Sequence, residues 1–288
     1  MTPRKAAIPV ATVPAVQTIA VTGGKGGTGK TTVAVNLATA LAQAGRKVLL
    51  LDGDLGLANV DVLLGLTPSC TLEQVLSGQR SLEEVILRTR AGVAVVPAAS
   101  GVARMAKLPL TEHAAIVRAF SALPGEYDTL IVDTAPGITE SVLTFAGAAQ
   151  HQLFVIRNEP ASLTDAYALI KVLSREHRVR HFRVLVNQAR AGSDPLALFK
   201  RLQRVTDRFL EVVLDYAGEI PDDENVAKAV RAQKTVVEAY PGGATARAYK
   251  RLAQAAQGWN APHAPAGGLE FYFERMVPQK KNGLKVIK

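Results

Sequence analysis

A lysine placed between a glycine and a threonine, at the end of a glycine-rich turn, is suited to holding phosphate. The stretch VTGGKGGTGKTTVAVN, Val21 to Asn36, contains that arrangement. Gly24 to Thr31 reads G-x-x-x-x-G-K-[ST]. In that pattern the backbone amides of Lys25, Gly26, Gly27, Thr28 and Gly29 surround an anion, Lys30 reaches its outer phosphates, and the Thr31 hydroxyl ligates Mg2+. Thr32 continues the same ATP-binding stretch into the helix. A lysine at a helix N-terminus faces the positive end of the macrodipole, which is unfavourable unless a polyanion sits between them. Gly24 to Gly29 also satisfies G-x-G-x-x-G, and Asp52 follows about twenty residues later, as in a dinucleotide fold. That alternative gives Lys30 nothing to do, so a nucleoside triphosphate is the ligand expected.

Three acids could join it. Asp52 and Asp54 follow the apolar run VLLL. Two apart on a strand, they project to one face, which suits a shared hydrated cation. Asp133 closes a second apolar run, TLIVDT. Plainer readings stand beside these: Asp54-Leu55-Gly56 can be a turn, and an aspartate at a strand end often opens a helix. Lys25 can be a solvated loop lysine, although a cation inside a loop built around anions argues against it.

These residues need elements to hold them. QTIAVTG, KVLLLDGD, GVAVVPA, YDTLIVDT, HQLFVIRN, FRVLVNQ and LDYAGEIP read as strands, most of them hydrophobic almost throughout, as in a parallel sheet covered on both faces. Helical patterns lie between them: TTVAVNLATALAQAG with Gly45 at its end, SLTDAYALIKVLSREH, and DPLALFKRLQRVTDRFLEVV with Asp194 as N-cap and Pro195 in the first turn. The alternation predicts an α/β fold with a doubly wound, mostly parallel sheet and its sites at the C-terminal strand ends.

The chain has 288 residues, enough for one large domain, and a net charge of +9. No apolar run approaches the ~20 residues of a membrane span. Prolines at 3, 9 and 14 interrupt the start, so residues 1–16 read as a flexible arm rather than a signal peptide. A lone cysteine, Cys70, excludes an internal disulfide or a cluster of thiolates, and a cytoplasmic setting is expected. Ten Lys or Arg fall between Lys171 and Arg208 against Glu176, Asp194 and Asp207. Such a run can attract nucleic acid, anionic lipid or an acidic protein, or be a pair of solvated helix faces.

KGGTGKT resembles the deviant Walker A motif of the MinD/ParA family of P-loop ATPases, in which an extra lysine precedes the usual one. The resemblance implies that Lys30 serves the subunit's own nucleotide and Lys25 reaches across a homodimer formed in the ATP state. LLLDGDLGLANVDVLLGL resembles the family's switch I, implying that Asp54 orients the attacking water while Asp52 supports the magnesium shell. TLIVDTAPG resembles Walker B and switch II, implying that Asp133 holds Mg2+ through water and Gly137 lets the backbone respond to the γ-phosphate. VLVNQ and EIPDDENVAKAV resemble the adenine-contacting segments, with Asn187, Pro221, Asp222 and Asp223 around the base; Asn187 could equally cap a turn.

Within the family, DLGLANVDVLLGL, VVPAASG, EPASLTDAYALIK, FRVLVNQ, VTDRFL and GGLEFYFERMV resemble the flagellar-number regulators of the FleN (FlhG) type, over roughly residues 17–277. These are implied to be weak ATPases that act as nucleotide-timed switches, restrain a transcription activator of the FleQ type, and work with the FlhF GTPase. Two departures stand out. The D-Q-A-x-x-L-R motif that stimulates FlhF in some members is missing from Met1 to Gln17, and switch II carries Pro136. A ParA-type partition ATPase, binding nonspecific DNA through residues 171–208, is the alternative; otherwise no nucleic acid is obligatory. A nitrogenase-reductase-like carrier fails for want of cysteines.

The expected layout is the arm 1–16, an ATPase domain over 17–260, a linker with an amphipathic helix over 261–277, and a basic tail over 278–288. In that helix Leu269, Tyr272, Phe273, Met276 and Val277 form one apolar stripe. By analogy with MinD it could lie on a membrane; packing on the domain's own surface is the competing expectation.

Overall fold

The computed structural model describes residues 16–99, 102, 104–260 and 269–272. Eight strands form one sheet: β1 (Gln17–Thr22), β2 (Val48–Gly53), β3 (Leu87–Arg88), β4 (Ala94–Val96), β5 (Thr129–Thr134), β6 (His151–Ile156), β7 (His181–Ala189) and β8 (Val213–Pro221). Their spatial order is β3-β4-β2-β5-β1-β6-β7-β8, and every pairing is parallel except β3 with β4. The α-helices are α1 (Lys30–Gln43), α2 (Val60–Leu64), α3 (Leu72–Leu76), α4 (Leu110–Ala119), α5 (Glu140–Ala148), α6 (Pro160–Glu176), α7 (Pro195–Phe209), α8 (Glu224–Arg231), α9 (Val236–Ala239) and α10 (Ala244–Gln257).

The near-continuous apolar strands are buried on both sides because alternate residues feed different layers. Val48 and Leu50 pack with α1, α2 and α10, whereas Leu49 and Leu51 pack with α3, α4 and α5. Beyond β1, Phe154 and Ile156 of β6 and Phe182, Val184 and Val186 of β7 meet α6 and α7. The result is a doubly wound α/β sandwich. From β1 the chain winds first toward β2 and later toward β6, so the strand order reverses beside β1. That reversal leaves a crevice at the C-terminal ends of β1 and β5, where such sheets take their ligands.

All seven strands read from the sequence form, and the short antiparallel β3 is an addition at the edge. Gly45 follows α1 in the left-handed conformation, φ 89°. The Asp194 carboxylate accepts from Ala197 N at 2.9 Å, and Pro195 opens α7, as expected. That helix stops at Phe209 rather than running on, because Val213 is needed to pair with His181 at the start of β8. The basic run 171–208 is not one solvated strip. Lys200, Arg201, Arg204 and Arg208 do lie on the exposed face of α7, but Arg183 turns inward.

At the ends, Val16 is already buried in the core, so the part of the arm that is described belongs to the domain. Residues 1–15, the linker 261–268 and residues 273–288 fall outside the described residues. Leu269–Tyr272 is a turn, not the first turn of a helix, and Tyr272 has φ 57°. Phe271 N donates to Ala148 O at 3.1 Å, closing the segment onto the end of α5. Phe271 and Tyr272 are fully buried, with ring centroids 5.2 and 6.1 Å from Phe120. The expected stripe therefore does not begin at Leu269, and Tyr272 belongs to the protein core. Phe273, Met276 and Val277 lie beyond the described residues. No helix among the described residues is long and apolar enough to cross a membrane.

Candidate nucleotide site

The turn between β1 and α1 is shaped by contacts that exclude side chains. A Cβ on Gly24 would sit 2.3 Å from Asp165 O of α6, and one on Gly23 would sit 2.8 Å from Val155 O of β6. Gly27 and Gly29 have φ of 76° and 89°, which glycine adopts without strain. Asn187, at the end of β7, donates from Nδ2 to Thr28 O at 2.8 Å and packs against Gly29. The loop is thus clamped between α6 and β7, with Thr28 buried and Gly26 facing Pro136.

Lys30 opens α1 and is 7% exposed. Its Nζ donates to Lys25 O at 3.2 Å, folding back over the loop. Burial lowers its pKa, against the opposing pull of Asp133 and Asp54. Asp133 ends β5 beside Asp52 on β2, the two paired in register. Both are almost wholly buried. Burial, moderated by a hydrogen bond from Thr31 and the charge of Lys30, raises Asp133 to about 7. Burial and then the neighbouring Asp133 push Asp52 well above the usual carboxylate range. Asp54 is raised by burial, partly offset by the Leu57 amide and Lys30.

The two buried acids have different partners. Asp52 accepts from Asp54 N at 3.2 Å, Asn59 N at 3.0 Å and Val60 N at 3.1 Å. Its oxygens are taken up in holding the 54–60 loop and the start of α2. Asp133 Oδ1 is buried with no hydrogen-bond partner. An orphaned carboxylate oxygen next to a second acid and the Thr31 hydroxyl fits a hard divalent cation. Among the described residues no group of three or more acidic, histidine or cysteine side chains could hold a metal. A cation here would need oxygens from a ligand, as Mg2+ does when it bridges phosphates.

Lys25 takes a direction the sequence did not suggest. Its Nζ pairs with Glu159 Oε2 at 2.9 Å, just before α6. Arg157 approaches the same carboxylate at 3.5 Å and donates to Gly27 O at 3.2 Å. These cations hold Glu159 below its ordinary pKa, the hydrogen bond from Lys25 contributing most.

A family profile described as an AAA domain matches residues 16–182. The chain is 53% identical over 271 residues to the antiactivator FleN of Pseudomonas aeruginosa, covering 94% of this chain and 97% of that one. The chain belongs to the MinD/ParA family of P-loop ATPases, on its FleN branch. It is also 28% identical over 263 residues to the flagellum site-determining protein YlxH of Helicobacter pylori, covering 90% and 89% of the two chains. Among solved structures, the septum site-determining protein MinD of Pyrococcus horikoshii, in complex with Mg-ADP, superimposes with a TM-score of 0.71. It is 28% identical, and the match covers 84% of this chain and 96% of that one.

In this FleN-branch chain the fold gathers Gly24 to Thr32, Asp52, Asp54, Asp133 and Gly137 at neighbouring C-terminal strand ends. Gly137 has φ 91° and no atom within 4 Å of the position a Cβ would take. The residues expected around the base are more dispersed in their bonding. Asn187 has its amide committed to the loop, and Asp223 caps α8 through Asn225 N while accepting from Thr245 Oγ1. Pro221 ends β8 and the exposed Asp222 follows, its N–H bonded to Ala189 O at 3.0 Å. Glu159, Arg157 and Asp165 were missed from the sequence. A hint was available in Glu159-Pro160, since proline at a helix start places the preceding side chain at the strand end beside the loop.

Proposed function

We propose that the chain is an ATP-dependent dimerising switch with weak ATPase activity that regulates flagellar number by restraining a transcription activator of the FleQ type. The observation that carries this reading is the pairing of two lysines in one loop with separate environments: Lys30 buried between Asp133 and Asp54, Lys25 on the surface with Glu159. Lys30 and the amides of residues 25–29 bind the phosphates of the subunit's own ATP. Thr31 and Asp133 would hold Mg2+, which would supply neutralisation of phosphate charge. Asp52 holds the switch I loop by its amide bonds, and would support the magnesium shell from its place beside Asp133. Asp54 orients the attacking water, and Pro221, Asp222 and Asn187 flank the base.

In the dimer Lys25 exchanges Glu159 for the partner's phosphates. Leu57 and Ile138, exposed at 69% and 44% on the two switch segments, become covered when the subunits meet. The γ-phosphate selects the dimer, and hydrolysis releases it. FleN is named an antiactivator and YlxH a flagellum site-determining protein, which supports the flagellar reading for a chain so similar to the first. The protein acts in the cytoplasm and works with a GTPase of the FlhF type.

Equilibrium ATP binding and steady-state phosphate release test the division of roles. Lys30→Ala should weaken ATP binding at least about a hundredfold, as expected for loss of a charge-assisted phosphate contact in a buried site. Asp54→Ala should bind ATP within about threefold of wild type and lose turnover by about 10²–10³. Equal loss of affinity in both variants would refute the assignment.

A further inference from the structure

The N-terminal rim of the sheet, opposite the nucleotide loop, carries a second site. A cavity of about 390 Å3 opens there between the ends of α5 and α6 and the starts of β6 and β7. Its lining includes His151, His177, Arg178, Arg180, His181 and Arg183.

Arg183 is 7% exposed. Its guanidinium meets His151 Nδ1 at 3.1 Å and lies over the Trp259 ring, 4.5 Å from the centroid. Burial lowers the Arg183 pKa, only partly offset by Asp215, and that acid is paired with His181 instead. Among the described residues no carboxylate lies within ion-pairing distance of Arg183. Burying a cation without a counter-ion is costly. His151 deepens the imbalance. Arginine has no acceptor, so Arg183 donates and Nδ1 accepts, which places the ring proton on Nε2. Burial, together with Arg183 and His181, lowers the His151 pKa to about 3, so the ring is neutral with that single N–H. Nε2 is buried and has no hydrogen-bond partner.

Arg183, a guanidinium without a counter-ion, and His151, whose buried N–H has no hydrogen-bond partner, therefore line the same cavity. Water could accept from the N–H but would leave the guanidinium uncompensated. An oxyanion answers both. Arg178 and Arg180 add positive charge at the exposed mouth, and Ala149 and Val179 add apolar wall. Glu270 also lines the cavity. We propose that this cavity binds a small molecule carrying a phosphate or carboxylate, seated on Arg183 and the Nε2–H of His151. The site is separate from the ATP site, although α6 spans the two, starting beside Glu159 and capped at its end by His177.

Trp259 is the chain's sole tryptophan and stacks on Arg183, so its emission reports on the site. The full chain is titrated with sodium phosphate and with sodium succinate, against sodium chloride at matched ionic strength. Wild type and Lys30→Ala should both give a saturable shift with at least one of the two anions, and which anion does so identifies the preferred group. Arg183→Gln should weaken that response at least about tenfold, as expected for a charge-assisted bond. His151→Phe, which keeps a ring and removes the N–H, should weaken it by a smaller factor and serves if Arg183→Gln lacks a cooperative unfolding transition. The proposal is overturned by no saturable shift beyond that of chloride. It is equally overturned if the shift vanishes in Lys30→Ala, or persists unchanged in the Arg183 and His151 variants.

Discussion

His151 shows how a single buried side chain sets a pH dependence. Its folded pKa is depressed to about 3 from an ordinary value of 6.5, chiefly by burial. Above pH 6.5 neither state binds the proton and folding carries no penalty from this ring. As pH falls below that, the unfolded chain takes up a proton that the native state refuses, so stability is lost down to about pH 3. His113 and His177, also depressed by burial, act in the same sense. Urea denaturation at pH 7.5 and 5.5 should show wild type losing about 1.4 kcal/mol more than His151→Gln over that interval. Parallel pH curves would remove His151 from the account. This was not readable beforehand, because a histidine opening a strand is legible only as a polar residue at an apolar edge. By contrast Lys30, Thr31, Asp54 and Asp133 were legible, since phosphate chemistry dictates both residue type and spacing. What spacing could not show is bonding: Asp52 spends its oxygens on three amides, and Asn187 braces the loop.

Strands and long helices were readable because their period and caps are local. Where α7 stops was not, because pairing between Val213 and His181, 32 residues apart, overrides a helical pattern. The same competition decides the C-terminal segment. Its helical periodicity begins at Leu269, yet Phe271 and Tyr272 find a slot between α4 and α5, and filling it outweighs helix propensity. Burying an aromatic ring of this size contributes about 2–3 kcal/mol from area alone, and the cavity left by its removal adds to the loss. Phe271→Ala should therefore lower unfolding free energy by about 3–5 kcal/mol, read by chemical denaturation of the full chain. A change below about 1 kcal/mol would mean that the segment does not dock on the domain.

For the whole molecule, the central claim is that two chains close on bound ATP and that Lys25 is what each lends the other. In the single subunit Lys25 is paired with Glu159, a half-exposed contact of the kind that contributes little to stability. Such a pair is weak enough to open and strong enough to favour the monomer when no partner phosphate is present. Glu159→Gln should therefore tighten the ATP dimer, by roughly two- to fivefold in dissociation constant. The most direct measurement is light scattering on size-exclusion peaks of wild type and Lys25→Ala, each with ADP and with ATP, with Asp54→Ala included to slow turnover. The account predicts monomer with ADP, dimer with ATP in wild type and most fully in Asp54→Ala, and monomer throughout for Lys25→Ala despite bound nucleotide. An ATP-loaded wild type that stays monomeric across the accessible concentrations, or a Lys25→Ala dimer as stable as wild type, would contradict it.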